Sequence, residues 1–263
     1  MWTVIVPYFD EEALLTRVLR CLEKCQECCN NITEVIVACN GSNIPNSESR
    51  KFPLVFLDAS QKTGSYFARN RAVEKASGEF IAFTDVDCLP KEDWLLDAPN
   101  KKSITYGQIR VFSENYTIWS IVDRCFAFNQ KYYVKNGMGV TANCLVSKED
   151  FLEIGFFNEK FSGSDVVFAR KAHSLGYNIV YDSKKIVGHP SRDTYNDLIT
   201  KSRRVFQGKL ENGFPKFRLI ISYLIPPRII FVKKDEVRFV EHFLGSILYY
   251  FLRLKTVTWQ SML

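Results

Sequence analysis

The sequence predicts an α/β protein built on a doubly wound, mostly parallel sheet flanked by helices, with a helical, basic and apolar C-terminal extension. Three observations predict it. Apolar runs of strand length, such as Val4-Ile5-Val6 and Phe80-Ile81-Ala82-Phe83, are continuous rather than alternating, as strands buried on both faces are. Segments with helical spacing alternate with these runs, the pattern of parallel strands joined by crossover helices. The composition, 46% hydrophobic and 24% charged over 263 residues, is globular and sufficient for one large domain or two small ones.

Taken in order, residues 2–6 form a buried first strand that Pro7 stops. Asp10-Glu11-Glu12-Ala13 opens a helix carrying Leu14, Leu15, Val18, Leu19 and Leu22 at helical spacing, with acids in its first turn. Residues 34–39 are a second strand ended by the turn cluster Asn40-Gly41-Ser42-Asn43. A short third strand covers 54–57, and Gly64 precedes a helix over 65–76. The fourth strand, 80–84, ends in Asp85-Val86-Asp87. Further on, 104–112 is a strand and 116–134 an aromatic-rich helix or lid. Cys144-Leu145-Val146 is a strand, and Ser147 caps a helix that stops at Gly155. A helix starts at Ser162-Gly163-Ser164-Asp165 and ends near Gly176. A strand covers 177–181, and Ile186-Val187-Gly188-His189-Pro190 closes the region.

The chemistry centres on Asp85 and Asp87. Side chains alternate along a strand, so the two carboxylates leave one side while Val86 points away. Like charges at the mouth of an apolar strand are costly unless a positive charge lies between them. A hard divalent cation, Mg²⁺ or Mn²⁺, carrying a phosphorylated ligand fits that need; a solvated turn is the bland alternative. Ligands of open α/β sheets gather at strand carboxyl ends, which brings residues 7–11, 39–42 and 85–87 to one crevice. The first strand lacks the G-x-G-x-x-G of a dinucleotide site.

Charge is uneven. Residues 201–263 hold 12 Lys and Arg against 4 Asp and Glu, whereas residues 1–200 hold 23 against 25. A basic end rich in Ile, Leu, Phe and Tyr suits anionic lipid better than nucleic acid, for which there is no fold signature. Cys21, Cys25 and Cys28 share a helix face beside Cys29. A metal or redox cluster is one reading and ordinary small core residues the other. The sequence runs straight into a strand with no basic, apolar leader, so a reducing cytosol and free thiols are expected.

These motifs, in this order, resemble the family 2 glycosyltransferases, inverting enzymes with the GT-A nucleotide-sugar fold. The similarity runs through residues 3–190: Val4-Ile5-Val6-Pro7-Tyr8-Phe9-Asp10-Glu11, Val35-Ile36-Val37-Ala38-Cys39-Asn40-Gly41-Ser42, Ala68-Arg69-Asn70-Arg71-Ala72 and Phe80 to Asp87. It continues through Asn143, Gly155-Phe156-Phe157-Asn158-Glu159, Gly163-Ser164-Asp165 and His189. The resemblance implies that Pro7, Phe9 and Glu11 wrap the nucleoside, that Asn40 meets the base and that Arg69 lies beside the nucleotide. It implies that Asp85 faces the ribose or metal-bound water. Asp87, with His189, ligates the cation that bridges the diphosphate of a nucleoside-diphosphate sugar. Asp165 is implied as general base. Two departures stand out. Cys39-Asn40 replaces the usual Asp-Asp, which leaves UDP, GDP and other donors open, and Ser164 replaces the first acid of the usual Glu-Asp pair. Asn143, Arg203 and Arg204 are candidate contacts to the diphosphate or an acceptor; a solvated basic face is the other reading for the arginines.

The expected division is 1–194, with a nucleotide half of about 1–100 and an acceptor half of about 101–194, followed by the extension 195–263. In 217–232 the apolar run breaks at Pro226-Pro227, and 239–254 suits an amphipathic helix lying on a membrane, an oligomer contact or a helix packed on the domain. The function expected is transfer of a sugar to a hydroxyl acceptor, a glycan or a lipid-linked glycan or glycolipid, by a cytoplasmic enzyme peripheral on the inner face of the membrane. The rivals are a sugar-1-phosphate nucleotidyltransferase and a catalytically inactive nucleotide-sugar binding or scaffold protein.

Overall fold

The computed structural model of the chain describes residues 1–41, 49–160, 162–235 and 237–260. Its strands are β1 (Trp2–Tyr8), β2 (Ile32–Cys39), β3 (Leu54–Asp58), β4 (Phe80–Thr84), β5 (Leu89–Pro90), β6 (Ser103–Phe112), β7 (Asn143–Ser147) and β8 (Asn178–Pro190). They form one sheet in the order β3-β2-β1-β4-β7-β6-β8-β5. The first four are mutually parallel. β7 runs antiparallel to β4 and β6, β5 antiparallel to β8, and β6 with β8 is parallel again.

The double winding is visible in β1. Val4 and Val6 face the layer of α1 (Glu12–Cys29), packing with Leu15, Val18, Leu19 and Leu22. Ile5 faces the layer of α2 (Ser65–Lys75) with Ala68, Ala72 and Val73. A strand buried on both faces has no polar side to show, hence the unbroken apolar run. The remaining helices are α3 (Ile118–Phe126), α4 (Gln130–Lys135), α5 (Lys148–Ile154), α6 (Ser164–Ser174), α7 (Tyr195–Glu211), α8 (Lys216–Leu224) and α9 (Phe239–Gln260), with a 3-10 turn at Arg228–Phe231. The Ser147 hydroxyl accepts from the Asp150 N–H at 3.0 Å, capping α5.

Three expectations are corrected. Pro7 does not stop β1, which continues to Tyr8. Pairing with β4 ends at Ile5, so no strand waits on the side where the missing Pro7 N–H would point. Residues 178–190 are one strand rather than two segments. The register against β6 jumps from Gly107↔Asp182 to Gln108↔Ile186, so three residues loop out. A Cβ on Gly107 would lie 2.2 Å from the Lys185 carbonyl, so the irregularity requires glycine there. The aromatic segment 116–134 is broken into α3 and α4 at Phe128, whose φ of 53° is left-handed. Ser42 and Asn43 of the expected turn lie outside the described residues.

The extension packs onto the body through α3. Phe126 stacks on Tyr249 at 4.8 Å, Val122, Leu198, Ile199 and Leu252 share its cluster, and Arg124 pairs with Glu241 at 3.3 Å. The opposite face of α9 leaves Phe239, Val240, Phe243, Ile247 and Phe251 exposed. No helix among the described residues is long and apolar enough to cross a membrane. The clustered cysteines are free thiols. Cys25 and Cys29 donate to the Lys91 and Glu92 carbonyls at 3.0 and 3.4 Å, fastening α1 to the segment that carries β5.

Gly78 abuts β1, and a Cβ there would sit 2.5 Å from the Thr3 backbone nitrogen. Gly78→Ala must therefore displace a central strand. The expected cost is about 1–3 kcal/mol, read as a lower urea midpoint at unchanged m-value.

Candidate active site

The carboxyl ends of β1 and β4 open on one crevice. β4 ends at Thr84, so the acid pair sits in a turn, closed by the Cys88 N–H on the Asp85 carbonyl at 3.1 Å. It is this turn rather than strand alternation that buries Val86 in the α1 layer and leaves Asp85 and Asp87 partly exposed. The β6–β8 pairing carries His189 to the same place, opposite Val111. Donor atoms of Asp85, Asp87, Cys88 and His189 lie within 4.8 Å of one another. His189 Nδ1 is 2.7 Å from the Pro190 carbonyl. A carbonyl only accepts, so Nδ1 carries the proton and the Nε2 lone pair of the neutral ring is left for the crevice.

His189 Nε2 lies 3.5 Å from Asp87 Oδ2, and Asp87 Oδ1 is buried with no partner among the described residues. Protonation of Nε2 would satisfy one contact; a divalent cation would satisfy that contact and the orphaned oxygen together. Two carboxylates and one imidazole are ordinary ligands for Mn²⁺, so these residues fit the ion. Burial raises the Asp87 carboxyl, the like charge of Asp85 adds to the effect, and His189 and Arg192 oppose it. The Cys88 thiol is pushed well up by burial and by Asp87 and Asp85. It donates to the Ala142 carbonyl at 3.8 Å, which makes it a packed thiol rather than a ligand.

A polar chain crosses the crevice floor. Buried Arg69 on α2 pairs with Asp85 and its guanidinium lies 5.4 Å from the Tyr66 ring centroid. The Tyr66 hydroxyl lies close enough to Asp165 to draw its carboxyl down, against burial. Asp165 occupies the first turn of α6, where Gly163 in a left-handed conformation, not Asp165, is the N-cap. The Val166 and Thr141 N–H groups donate to its two oxygens at 2.9 and 3.3 Å. Burial raises its carboxyl, against these hydrogen bonds and Arg69. The result is a carboxylate more basic than one in water, held at fixed orientation. The Ser164 hydroxyl is buried without a partner among the described residues.

The other expected site residues divide. Phe9 is exposed at the crevice rim. Pro7 lies within β1, and Glu11 follows Phe9 in the loop after it, its carboxyl raised by partial burial and by Asp87. Asn40 is turned into the loop before α2: its amide donates to the Ala59 and Lys62 carbonyls, and its Oδ1 accepts from the Gly64 N–H. This geometry pins a loop more than it reads a base. Asn143 is a correction. It is fully buried, donates to the Gln108 and Lys185 carbonyls at 3.0 and 2.9 Å, and accepts from Trp94 Nε1 at 2.9 Å. All three contacts are internal and knit β6 to β8, so in this structure its side chain is spent on the fold. Arg203 turns away and lies 4.7 Å from the Trp259 ring centroid, whereas Arg204 is within electrostatic reach of Asp85, Asp165 and Tyr66.

Sequence reasoning missed the group that organises the cations. Asp123 on α3 is 3% exposed. It accepts from the Lys201 ammonium at 2.7 Å and from the Arg192 backbone and guanidinium at 3.1 and 3.3 Å. Burial alone would raise its carboxyl, but Lys201 and Arg192 outweigh it and bring it down to about 2. Burial draws the Lys201 ammonium down to about 8, against the pull of Asp123. Phe128 closes the cluster, its ring 4.2 Å from His189 and 4.9 Å from the Lys201 ammonium. The available signal was a lone carboxylate in the apolar run Ile118-Trp119-Ser120-Ile121-Val122-Asp123, where an unpaired charge is not tolerated.

Residues 3–155 match the family model described as Glycosyl transferase family 2. The chain is similar to Glycosyltransferase AglE of Haloferax volcanii, 27% identical over 237 residues that cover 80% of this chain and 73% of that protein. Its structure resembles that of the mannosyltransferase PcManGT from Pyrobaculum calidifontis in complex with GDP-Man and Mn²⁺. The TM-score is 0.59 at 16% identity, over 98% of this chain and 72% of the other. It also resembles S. aureus TarS 1-349 in complex with UDP, with a TM-score of 0.51 at 17% identity, over 91% and 76% of the two chains. At such identities the structural likenesses speak for a shared GT-A fold.

The Asp123 pairing makes a signed prediction. Its folded value of about 2 lies below its ordinary 3.8. The pairing therefore contributes stability, about 2–3 kcal/mol, that is present above 3.8 and lost as pH falls toward 2. Asp123→Asn should lower the urea unfolding free energy by about that amount at pH 7, and the gap to the wild type should narrow toward pH 3. A constant gap would mean that the charge does not matter.

Proposed function

This chain belongs to glycosyl transferase family 2 and is a glycosyltransferase, and we propose that it works by a single, metal-dependent, inverting displacement on a nucleoside-diphosphate sugar. The observation that carries this reading is the polar chain Asp85–Arg69–Tyr66–Asp165. It holds one carboxylate at a convergence of metal-type donors and another, separately, as a buried base. Asp165 takes the proton of the acceptor hydroxyl as its oxygen attacks the anomeric carbon from the face opposite the diphosphate. The new C–O bond forms as the bond to the diphosphate breaks, so configuration inverts. Asp85, Asp87 and His189 would hold Mn²⁺ or Mg²⁺, which when bound supplies Lewis-acid charge for the departing diphosphate. Arg192, Lys201 and Arg204 line the same side and offset the negative charge that the leaving group gains. One carboxylate suffices for such a displacement, so Ser164 in place of a first acid is compatible with catalysis.

PcManGT with GDP-Man and TarS with UDP support a nucleotide-sugar donor while leaving its base open. The acceptor we infer is a glycan or lipid-linked glycan presented at a membrane surface. The exposed stripe Phe239, Phe243, Ile247 and Phe251 on α9, with Phe217 and Phe231 nearby in sequence to Arg218, Arg228 and Lys233, fits peripheral contact through 217–263, on the inner face of the membrane.

Asp165→Asn should bind donor as the wild type does and lose transfer by about 10²–10⁴-fold, with wild-type product of inverted anomeric configuration by NMR. Transfer at unaltered rate, or retained configuration, would refute the assignment. Because the base acts deprotonated and its carboxyl is raised, the acid limb of kcat/KM should lie above the ordinary carboxylate range and vanish in the variant. Phe243→Glu with Phe251→Glu should abolish flotation with phosphatidylcholine–phosphatidylglycerol liposomes while leaving donor binding intact.

A further inference from the structure

Behind Phe128 lies a second concavity, of about 430 Å³, that the displacement above does not use. Lys131, Lys135, Arg228 and Lys233 line it. Among the described residues the one carboxylate in its wall is Asp235, 3.6 Å from Lys131. The Lys233 ammonium donates to the Lys234 and Val237 carbonyls at 3.0 and 2.9 Å, contacts that fix its position without neutralising it. Lys135 and Arg228 are exposed and have no acidic partner among the described residues. Like charges facing one space repel, and the repulsion is relieved when an anion enters.

The surroundings narrow the anion. Tyr132 and Tyr181 bring aromatic rings to the wall, suited to a sugar or an alkyl segment. Val232, which lines it, and its chain neighbour Phe231 are exposed, so an apolar chain leaving the concavity past Val232 meets an apolar surface. Phe128 is shared with the metal-type site: it lines this concavity and its ring lies 4.2 Å from His189. A bulky residue held at φ 53° is strained, and such strain concentrates where ligands are positioned.

We propose that this concavity seats a phosphate group, a phosphomonoester or phosphodiester carried by the amphiphilic acceptor, next to the reaction crevice. As an acceptor site it rests on the transferase reading; as a phosphate site it does not. The test uses the full chain, Lys135→Glu with Arg228→Glu, and a control with the same charge change on exposed lysines outside the membrane-facing segment, Lys101→Glu with Lys184→Glu. Sedimentation is measured with phosphatidylcholine vesicles with and without dodecyl phosphate, and with inorganic phosphate as competitor. The wild type and the control should bind the dodecyl phosphate vesicles about tenfold or more tightly than the plain ones, and the concavity variant should lose that increment. Competition by inorganic phosphate would identify the free anion as sufficient; its failure to compete would identify the lipid-borne phosphate as the ligand. Equal binding by wild type and concavity variant, or equal loss in the control, would overturn the proposal. Donor hydrolysis with Mn²⁺ is followed in parallel on all three proteins: its absence from the wild type would sink the transferase reading while leaving the phosphate site standing on the vesicle result.

Discussion

Two carboxylates at the end of a buried strand repel each other, and this repulsion is the constraint around which the crevice is arranged. The fold answers it one carboxylate at a time. Helix α2 delivers Arg69 to Asp85, and β8 delivers His189 to Asp87 with its ring oriented by the Pro190 carbonyl. What remains is an oxygen of Asp87 with no partner among the described residues, in a setting where burial and Asp85 already press its carboxyl upward. An enclosed, under-compensated carboxylate beside an imidazole lone pair is a place for a cation. The cations Arg192, Lys201 and Arg204 stand around it, and the first two are locked by Asp123.

Much of the fold was legible because local pattern and tertiary setting agree there. The run over β4 is apolar since both faces of the sheet are covered, and Ser147 caps α5 through its own chain neighbour. The pattern misled where the deciding partner is distant in sequence. Pro7 is tolerated because β4 stops short. The looped-out residues of β8 depend on Gly107, some 75 residues earlier in the sequence. The site follows the same rule. Asp85, Asp87 and His189 lie together, and Asp165 stands apart from them behind Arg69 and Tyr66. Asn143 falls between them in sequence yet is spent on Trp94 and two carbonyls. Tyr66 was invisible, and Asp123 showed only as a charge in an apolar run, since nothing near either in sequence reveals the groups they meet.

The extension extends that logic to the acceptor side. Helix α9 is apolar nearly all round because it has two apolar duties: one face stacks Tyr249 on Phe126 of α3, and the other is left exposed. Helix α3 also carries Asp123, so the element that anchors the extension is the one that sets the crevice cations. The proposed acceptor surface and the proposed diphosphate site are thereby joined through a single helix and the strained turn at Phe128.

The central claim is that a divalent cation gripped by Asp87 and His189 is what holds a diphosphate in this crevice. Titration calorimetry of GDP and UDP into the wild-type protein, in Mn²⁺ and again in excess chelator, tests it most directly. The account predicts binding of at least one of the two nucleotides in Mn²⁺, no measurable heat in chelator, and loss of the Mn²⁺-dependent binding in Asp87→Ala. Equal affinity with and without the metal, or an Asp87→Ala protein that binds as the wild type does, would contradict it.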